Sequence, residues 1–303
     1  MKKLNLFTRL TTTALAAALL IIGCKKETSN TLSTQEEEQV AVFSTESETE
    51  SQFAFDDVFN NVMGVNSDLG TGGVGVFGKV AGGGASEKMD SIPTCLRVTI
   101  TPLQPNVFPK TVVIDFGAGC TSHGHLRAGK ITTVYTGRLI EPGKSATTTF
   151  DNFKIDSISV SGTHKITNTT APGANQRQFK IEVTDAKLTK TSGNYEEWNA
   201  TRINTQIEGN GTIPPADDIF RITGNSTGKT KRGNLLVSWT SEIQEGLIKK
   251  FNCPWFSKGI IQTQRTGLPA NSQWVGVLNF GDGTCDNKAT LTVNGNVHQI
   301  TLH

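Results

Sequence analysis

An all-β fold, a long antiparallel meander curled into a sandwich or open barrel with one short helix before it, is what the sequence predicts. Three observations predict it. Apolar and polar residues alternate with period two through residues 128–303, without helical periodicity. Compact turn signals separate the alternating runs. Thr occurs about forty times, a surplus of a β-branched residue that favours pleated structure.

The chain opens Met1-Lys2-Lys3, with Arg9 close behind, and runs mostly apolar over residues 10–22. A basic start followed by a short apolar run is the pattern of a secretory signal over residues 1–23, too short to span a bilayer permanently. It ends Ile21-Ile22-Gly23-Cys24. This tetrapeptide resembles the lipobox of bacterial lipoproteins, with a branched residue, a small residue and then the modified Cys. The resemblance implies cleavage before Cys24, a diacylglycerol thioether on its sulfur and an acylated amine. A thiol suits that chemistry as the best side-chain nucleophile near neutral pH, and several acyl chains anchor far more firmly than one. The expected partner is therefore the lipid bilayer, held through acylated Cys24 without a transmembrane helix.

Residues 24–50 read as an acidic flexible tether. Over residues 25–57, the acids Glu27, Glu36, Glu37, Glu38, Glu46, Glu48, Glu50, Asp56 and Asp57 face only Lys25 and Lys26, and Ser, Thr and Gln fill most of the rest. Low hydrophobicity with high charge does not offset the cost of ordering. Phe55, Val58, Phe59, Val62 and Met63 then follow helical spacing, with Ser51 as N-cap and Gly64 as stop. They predict a short amphipathic helix packed on the body as a plug. A Gly-rich linker over residues 64–84 completes the segment 51–92, and residues 93–303 form the β domain. The whole chain carries a formal charge of +2 from 29 basic and 27 acidic groups, which excludes a nucleic-acid surface. A single apolar run longer than about ten residues excludes a polytopic helical membrane protein.

Within the β domain, Ile131, Thr133, Tyr135 and Leu139 share one face, as do Ile158, Val160 and Ile166. Phe179, Ile181 and Val183 do likewise. Ala186 and Leu188 then switch phase, which predicts a bulge near Thr184-Asp185. Leu235, Val237, Trp239 and Ile243 make a further face. Glu141-Pro142-Gly143-Lys144, Ala171-Pro172-Gly173-Ala174, Ser192-Gly193-Asn194, Ile213-Pro214-Pro215 and Asn294-Gly295 supply the turns. Long alternating strands and short turns mean antiparallel sheet with one packed face and one wet face.

Besides Cys24 the chain has Cys95, Cys120, Cys253 and Cys285, an even number that suggests disulfides in an exported protein. Three pairings are possible. Residues equidistant from a hairpin turn face each other at about 5 Å, the span a disulfide needs. Cys95 with Cys120 is centred on Pro105-Asn106-Val107-Phe108-Pro109, and Cys253 with Cys285 on Gly267-Leu268-Pro269-Ala270-Asn271. Local pairing is favoured on both counts. The two hairpins also echo each other, Asp115-Phe116-Gly117-Ala118-Gly119-Cys120 against Asn279-Phe280-Gly281-Asp282-Gly283-Thr284-Cys285, which suggests a divergent duplication flanking a central meander. Lipobox, acidic stalk, Phe-rich helix, Phe-Gly-x-Gly-Cys and the terminal Gly-Thr-Cys-Asp-Asn-Lys-Ala-Thr strand together resemble uncharacterised envelope lipoproteins of the Bacteroidota. The resemblance implies an outer-membrane lipoprotein on the periplasmic face or cell surface, and it brings no known activity. Lys25-Lys26-Glu27 departs from the acidic cluster that surface export in that group uses.

Motifs for chemistry are sparse. Gly73-Val74-Gly75-Val76-Phe77-Gly78-Lys79 has P-loop spacing, but Val80 stands where Ser or Thr must reach Mg²⁺; Gly224-Asn225-Ser226-Thr227-Gly228-Lys229-Thr230 is one residue short. No nucleotide is expected. His123-Gly124-His125 lacks two further ligands for a closed metal site, and Asp282-Gly283-Thr284-Cys285-Asp286-Asn287 reads as a turn rather than a Ca²⁺ loop. No cofactor or metal is expected. Glu196-Glu197 would point to opposite faces of a strand, which defeats paired acid–base work, and Asp217-Asp218 are likewise sequence neighbours. Tyr195, Trp198, Trp255, Phe256 and Trp274 lie near turns or strand ends, where such rings more often close the ends of a β core and less often form a ligand platform. The expected function is a non-catalytic binding or structural role in the cell envelope. Its alternatives are a carrier of a lipid-like ligand in a curled half-barrel and a glycan-active hydrolase.

Overall fold

A computed structural model describes residues 32–63, 95–104, 106–122, 124–210, 217–269 and 271–302. The signal segment, Cys24, the Gly-rich linker with its P-loop spacing, His123 and the turn at Ile213-Pro214-Pro215 lie outside the described residues.

Among the described residues one helix, α1 (Thr34–Met63), precedes fourteen strands. They are β1 (Arg97–Thr101), β2 (Lys110–Asp115), β3 (Cys120–Ser122), β4 (His125–Tyr135), β5 (Ser145–Ile155), β6 (Ile158–Asn168) and β7 (Gln178–Thr189). After these come β8 (Tyr195–Glu208), β9 (Ile219–Arg232), β10 (Leu235–Lys250), β11 (Phe256–Arg265), β12 (Gly276–Asp282), β13 (Lys288–Val293) and β14 (Asn296–Thr301). Every strand from β4 onward pairs antiparallel with the next in sequence, β2 pairs β1 and β4, and β3 pairs only β4. The result is one open meander whose edges are β1 and β14. Among the described residues no helix is long and apolar enough to cross a membrane.

The predicted turns form as their residues require. Asn294 and Gly295 both have positive φ in the two-residue loop joining β13 to β14, the conformation that matches the twist of a hairpin. A sheet this wide must curl, and bulges do the bending. At the β4 bulge a Cβ on Gly129 would stand 2.3 Å from the Asn152 carbonyl oxygen, so only Gly fits there. The bulge predicted at Thr184-Asp185 is present, with the register broken between Val183 and Ala186 and Asp185 at φ 52°.

The inner face carries the predicted apolar sets: Ile131, Tyr135, Leu139, Val160, Ile166, Phe179, Ile181, Val183, Leu188, Val237 and Trp239 are all buried. It also carries buried polar groups in the same phase, among them Thr133, Arg127, His164, Arg202, Lys249 and Arg265. Disulfides join Cys95 to Cys120 and Cys253 to Cys285. Both close just outside the paired ends of their hairpins, Cys95 ahead of β1 and Cys253 ahead of β11. The echoed motifs fold alike: Gly117 N–H donates to Asp115 Oδ1 and Gly281 N–H to Asn279 Oδ1, both at 2.9 Å, and Phe116 and Phe280 are buried beside them.

The helix departs from expectation. The sequence predicts a flexible tether to residue 50 and a short helix capped by Ser51. Instead one 30-residue helix, about 45 Å long, starts at Thr34, and Ser51 is buried at its middle. Its real N-cap is Ser33. Glu36 N–H donates to Ser33 Oγ at 3.3 Å, and Ser33 N–H donates back to the Glu36 carboxylate at 3.0 Å, a reciprocal capping box. Strands β6 and β8 to β13 pack on α1, and from β4 the Tyr135 hydroxyl donates to the Val62 carbonyl at 2.9 Å. The sheet therefore curls around the helix, and the helix fills the concave side. Composition fails here because the acids find buried cations: Asp57 meets Arg127, Glu48 meets Arg202, Asp56 meets Lys249, and Glu37 takes both an Nε and an NH2 donor of Arg265.

Candidate functional site

Most of the side chains that sequence singles out are used by the fold. His125 Nδ1 stands 2.5 Å from Asp156 Oδ2, its ring packed on Phe53, and among the described residues no group of three or more His, Cys, Asp or Glu is placed to hold a metal. Asp282 accepts from Thr284 N–H and Oγ1, and Asp286 from Lys288 N–H, so this acidic run caps its own turn. Residues 224–230 run through the middle of β9 rather than around a phosphate. Glu196 points inward and is buried, whereas Glu197 points outward to Lys187 at 3.2 Å, as the period of a strand dictates. Asp217 is exposed and Asp218 buried. Of the five rings, Trp198 is buried against Phe55, Tyr195 lies under the Lys187 ammonium at 4.0 Å, and Trp274 packs half-buried on the core. Trp255 and Phe256 reach a cavity.

That cavity, about 480 Å³, is the candidate site. Its floor is one stripe of α1, where Thr45, Thr49, Phe53 and Asp56 recur at helical spacing. One wall is the β5–β6 turn with Ile155, Asp156 and Ile158, joined by Leu188 near the end of β7. The other wall comes from the last strands: Trp255 and Phe256 at the start of β11, Leu278 and Phe280 on β12, Leu291 on β13, and Ile300 to Leu302 at the end of β14. The curl of the sheet brings these two walls together from the middle of the chain and from its last strands. The lining is mainly aliphatic and aromatic, and its volume lies in the range of small-molecule sites, about 300–1,000 Å³.

The charged residues in the lining are all acidic: Glu46, Glu50, Asp56 and Asp156. Three of them are tied from behind. Lys249 Nζ holds Asp56 at 2.8 Å. Asp156 accepts from Leu126 N–H at 2.9 Å as well as meeting His125, and burial, which would raise its carboxyl, is outweighed by these two hydrogen bonds, so it lies below the usual range. Glu50 meets Lys190 at 2.7 Å and Arg232 at 3.5 Å. Behind it stands Glu196, 2.9 Å from Arg232. Burial, then the charge of Glu50, pushes the Glu196 carboxyl up to about 8. Burial alone would raise Glu50 too, but hydrogen bonding to Glu196 and Lys190 and the charges of Lys190 and Arg232 carry it below its ordinary value. Glu46 is different. It is half-buried, has no hydrogen-bond or ion-pair partner among the described residues, and burial holds its carboxyl above the ordinary value.

Sequence reasoning identified Trp255 and Phe256 but missed the cavity, because its walls are set by a curl that joins residues 155–158 to residues 278–302. No protein-family model, curated protein or solved structure matches the chain.

Proposed function

We propose that this chain is a lipid-anchored protein of the outer membrane that binds an apolar ligand in the cavity beside α1 and performs no chemistry on it. The observation that carries the reading is the cavity itself, about 480 Å³ lined by Phe53, Trp255, Phe280, Leu291 and Leu302. A folded protein ordinarily fills such space, since unfilled apolar volume costs stability. The broad trough expected of a half-barrel carrier is occupied by α1, so the ligand volume is what the helix leaves open. Anchoring rests on Ile21-Ile22-Gly23-Cys24, and Cys24→Ala is expected to abolish incorporation of alkyne-tagged palmitate; undiminished labelling overturns it.

One observation favours a second reading, a glycan-active hydrolase: Glu50 lines the cavity, and behind it stands Glu196, whose carboxyl burial and the charge of Glu50 raise to about 8. Against it, Glu196 has no exposed surface and both carboxyls are engaged by Lys190 and Arg232, which leaves no acid and base flanking an open space. Native mass spectrometry separates the readings. The purified protein is expected to carry an apolar molecule in one-to-one ratio, and Leu291→Trp, which fills the cavity, is expected to lose it. Equal occupancy in the variant, or release of sugars from a glycan panel that Glu50→Gln abolishes, overturns the binding reading.

A further inference from the structure

We infer that the cavity selects an amphiphile with one alkyl chain and a cationic amine head, with Glu46 as the counter-ion for the ammonium group. The inference rests on the apolar-ligand reading above and adds the chemistry of the head group. The cavity has an asymmetric polar inventory: Glu46, Glu50, Asp56 and Asp156 line it, and no Lys, Arg or His does. Charge complementarity therefore points to a cation.

Only one of the four acids is available. Asp56 is paired with Lys249, Asp156 is held by the Leu126 N–H and the His125 ring, and Glu50 is paired with Lys190 and Arg232. Glu46 sits one helical turn before Glu50, faces the same cavity and has no partner among the described residues. An unpaired, half-buried carboxylate opposes folding, and its raised carboxyl is the sign of that cost. A ligand ammonium would remove it by a charge-assisted hydrogen bond. An anionic head fits worse. Lys190 and Arg232, the cations whose charge acts on Glu46, are not part of the lining and are already held by Glu50 and Glu196. An acyl carboxylate or phosphate would meet four acids at the wall. The apolar residues Trp255, Leu278, Phe280 and Leu291 supply the chain's surroundings.

The test uses the mature lipoprotein in nanodiscs with three photoaffinity probes, each a dodecyl chain with a diazirine at its tail and an ammonium, hydroxyl or carboxylate head. Labelled peptides are mapped by mass spectrometry, so labelling of the cavity strands is separated from probe dissolved in the bilayer. The ammonium probe is expected to label β11, β12 and β14 half-maximally at about tenfold lower concentration than the hydroxyl probe, with the carboxylate weakest. Glu46→Gln is expected to erase that tenfold preference, so that the ammonium and hydroxyl probes label alike. If the preference survives in Glu46→Gln, or if hydroxyl and ammonium label alike in the native protein, the head-group inference falls and the apolar-ligand reading stands. If no probe labels the cavity strands above the level seen in Leu291→Trp, the reading itself falls, and the inference with it.

Discussion

Within α1, residues 51–63 meet the sheet chiefly through rings and aliphatic chains, with Asp56 and Asp57 paired to Lys249 and Arg127 among them, whereas residues 34–50, where Val40 and Ala41 are the buried apolar side chains, meet it chiefly through carboxylates. In the second half Phe55 stacks on Trp198 with ring centroids 5.5 Å apart, and Phe59 sits edge-on to Phe220 at 5.9 Å. In the first half Glu48 accepts from Arg202 at 2.5 Å, from Trp198 Nε1 at 2.8 Å and from Ser226 Oγ at 2.7 Å, with no exposed surface at all. Both halves are buried by the same sheet. Removal of apolar area from water stabilises the second half directly, by about 25 cal/mol per Å². The first half stands near break-even, because charges taken out of water recover their desolvation only when every lone pair is met. One helix is thus docked by two kinds of physics. The apolar half supplies net stability. The polar half makes displacement expensive without adding much stability of its own.

The comparison breaks most visibly on truncating one partner. Arg202→Met leaves Glu48 buried and unpaired and is expected to cost about 3–5 kcal/mol in urea unfolding. Phe59→Ala is expected to cost a similar amount, about 3–5 kcal/mol, by opening a cavity. The remedies differ. Adding Glu48→Gln to Arg202→Met removes the orphaned charge and is expected to restore at least half the loss, while no second truncation restores Phe59→Ala. If the double variant is as unstable as the sum of its singles, residues 34–50 are not held by their ion pairs, and the contrast between the halves disappears.

How much of this was legible follows from the same contrast. Alternation reports which face of a strand is buried, so the inner sets on β4 to β10 and the bulge at Asp185 could be read from residue order alone. The hairpin symmetry of Cys95 with Cys120 and of Cys253 with Cys285 was legible too, because each pair straddles its own turn. The acidic half of α1 was not, since composition treats each charge as solvated and carries no word of a partner 150 residues away. One signal was present in the strands. Arg202 follows Trp198 and Ala200 in phase, Lys249 follows Leu247, and Arg265 follows Ile261 and Thr263. Cations on an otherwise buried face require buried acids, and residues 34–57 are where the chain concentrates its acids.

A smaller effect comes from the raised carboxyl of Glu196. Glu196 has its folded carboxyl raised to about 8, above the ordinary 4.5, so the folded state holds a proton that the unfolded chain has released between those values. Stability therefore falls as pH rises through that window and levels off above pH 8. His164 acts in the opposite sense. Burial pushes its imidazole down to about 3, so stability is lost as pH drops from 6.5 toward 3. Between pH 6.5 and 8 Glu196 acts without His164. Unfolding midpoints in urea are expected to show a loss of about 1–2 kcal/mol across this interval, from a limiting slope of about 1.4 kcal/mol per pH unit for one proton. Glu196→Gln is expected to flatten it. An unchanged slope in the variant would place the proton elsewhere.

The smallest expected effect asks whether the polar half of α1 belongs to the same cooperative unit as the sheet. Ser33→Ala removes the hydroxyl that receives Glu36 N–H and the partner of the Glu36 carboxylate, at an exposed position far from the apolar half. Loss of an N-cap costs about 1 kcal/mol. A helix start held only by its cap would fray locally, and hydrogen exchange would speed up over the first turns while the unfolding midpoint stayed where it was. Here Glu37 is fastened to Arg265 on β11 one residue beyond the capping box, which couples the first turn to the opposite end of the chain. The expected outcome is therefore a global loss of about 1 kcal/mol with exchange still governed by whole-domain unfolding. Local fraying at constant midpoint would mean that the ion pairs hold α1 in place without making it part of the folding unit.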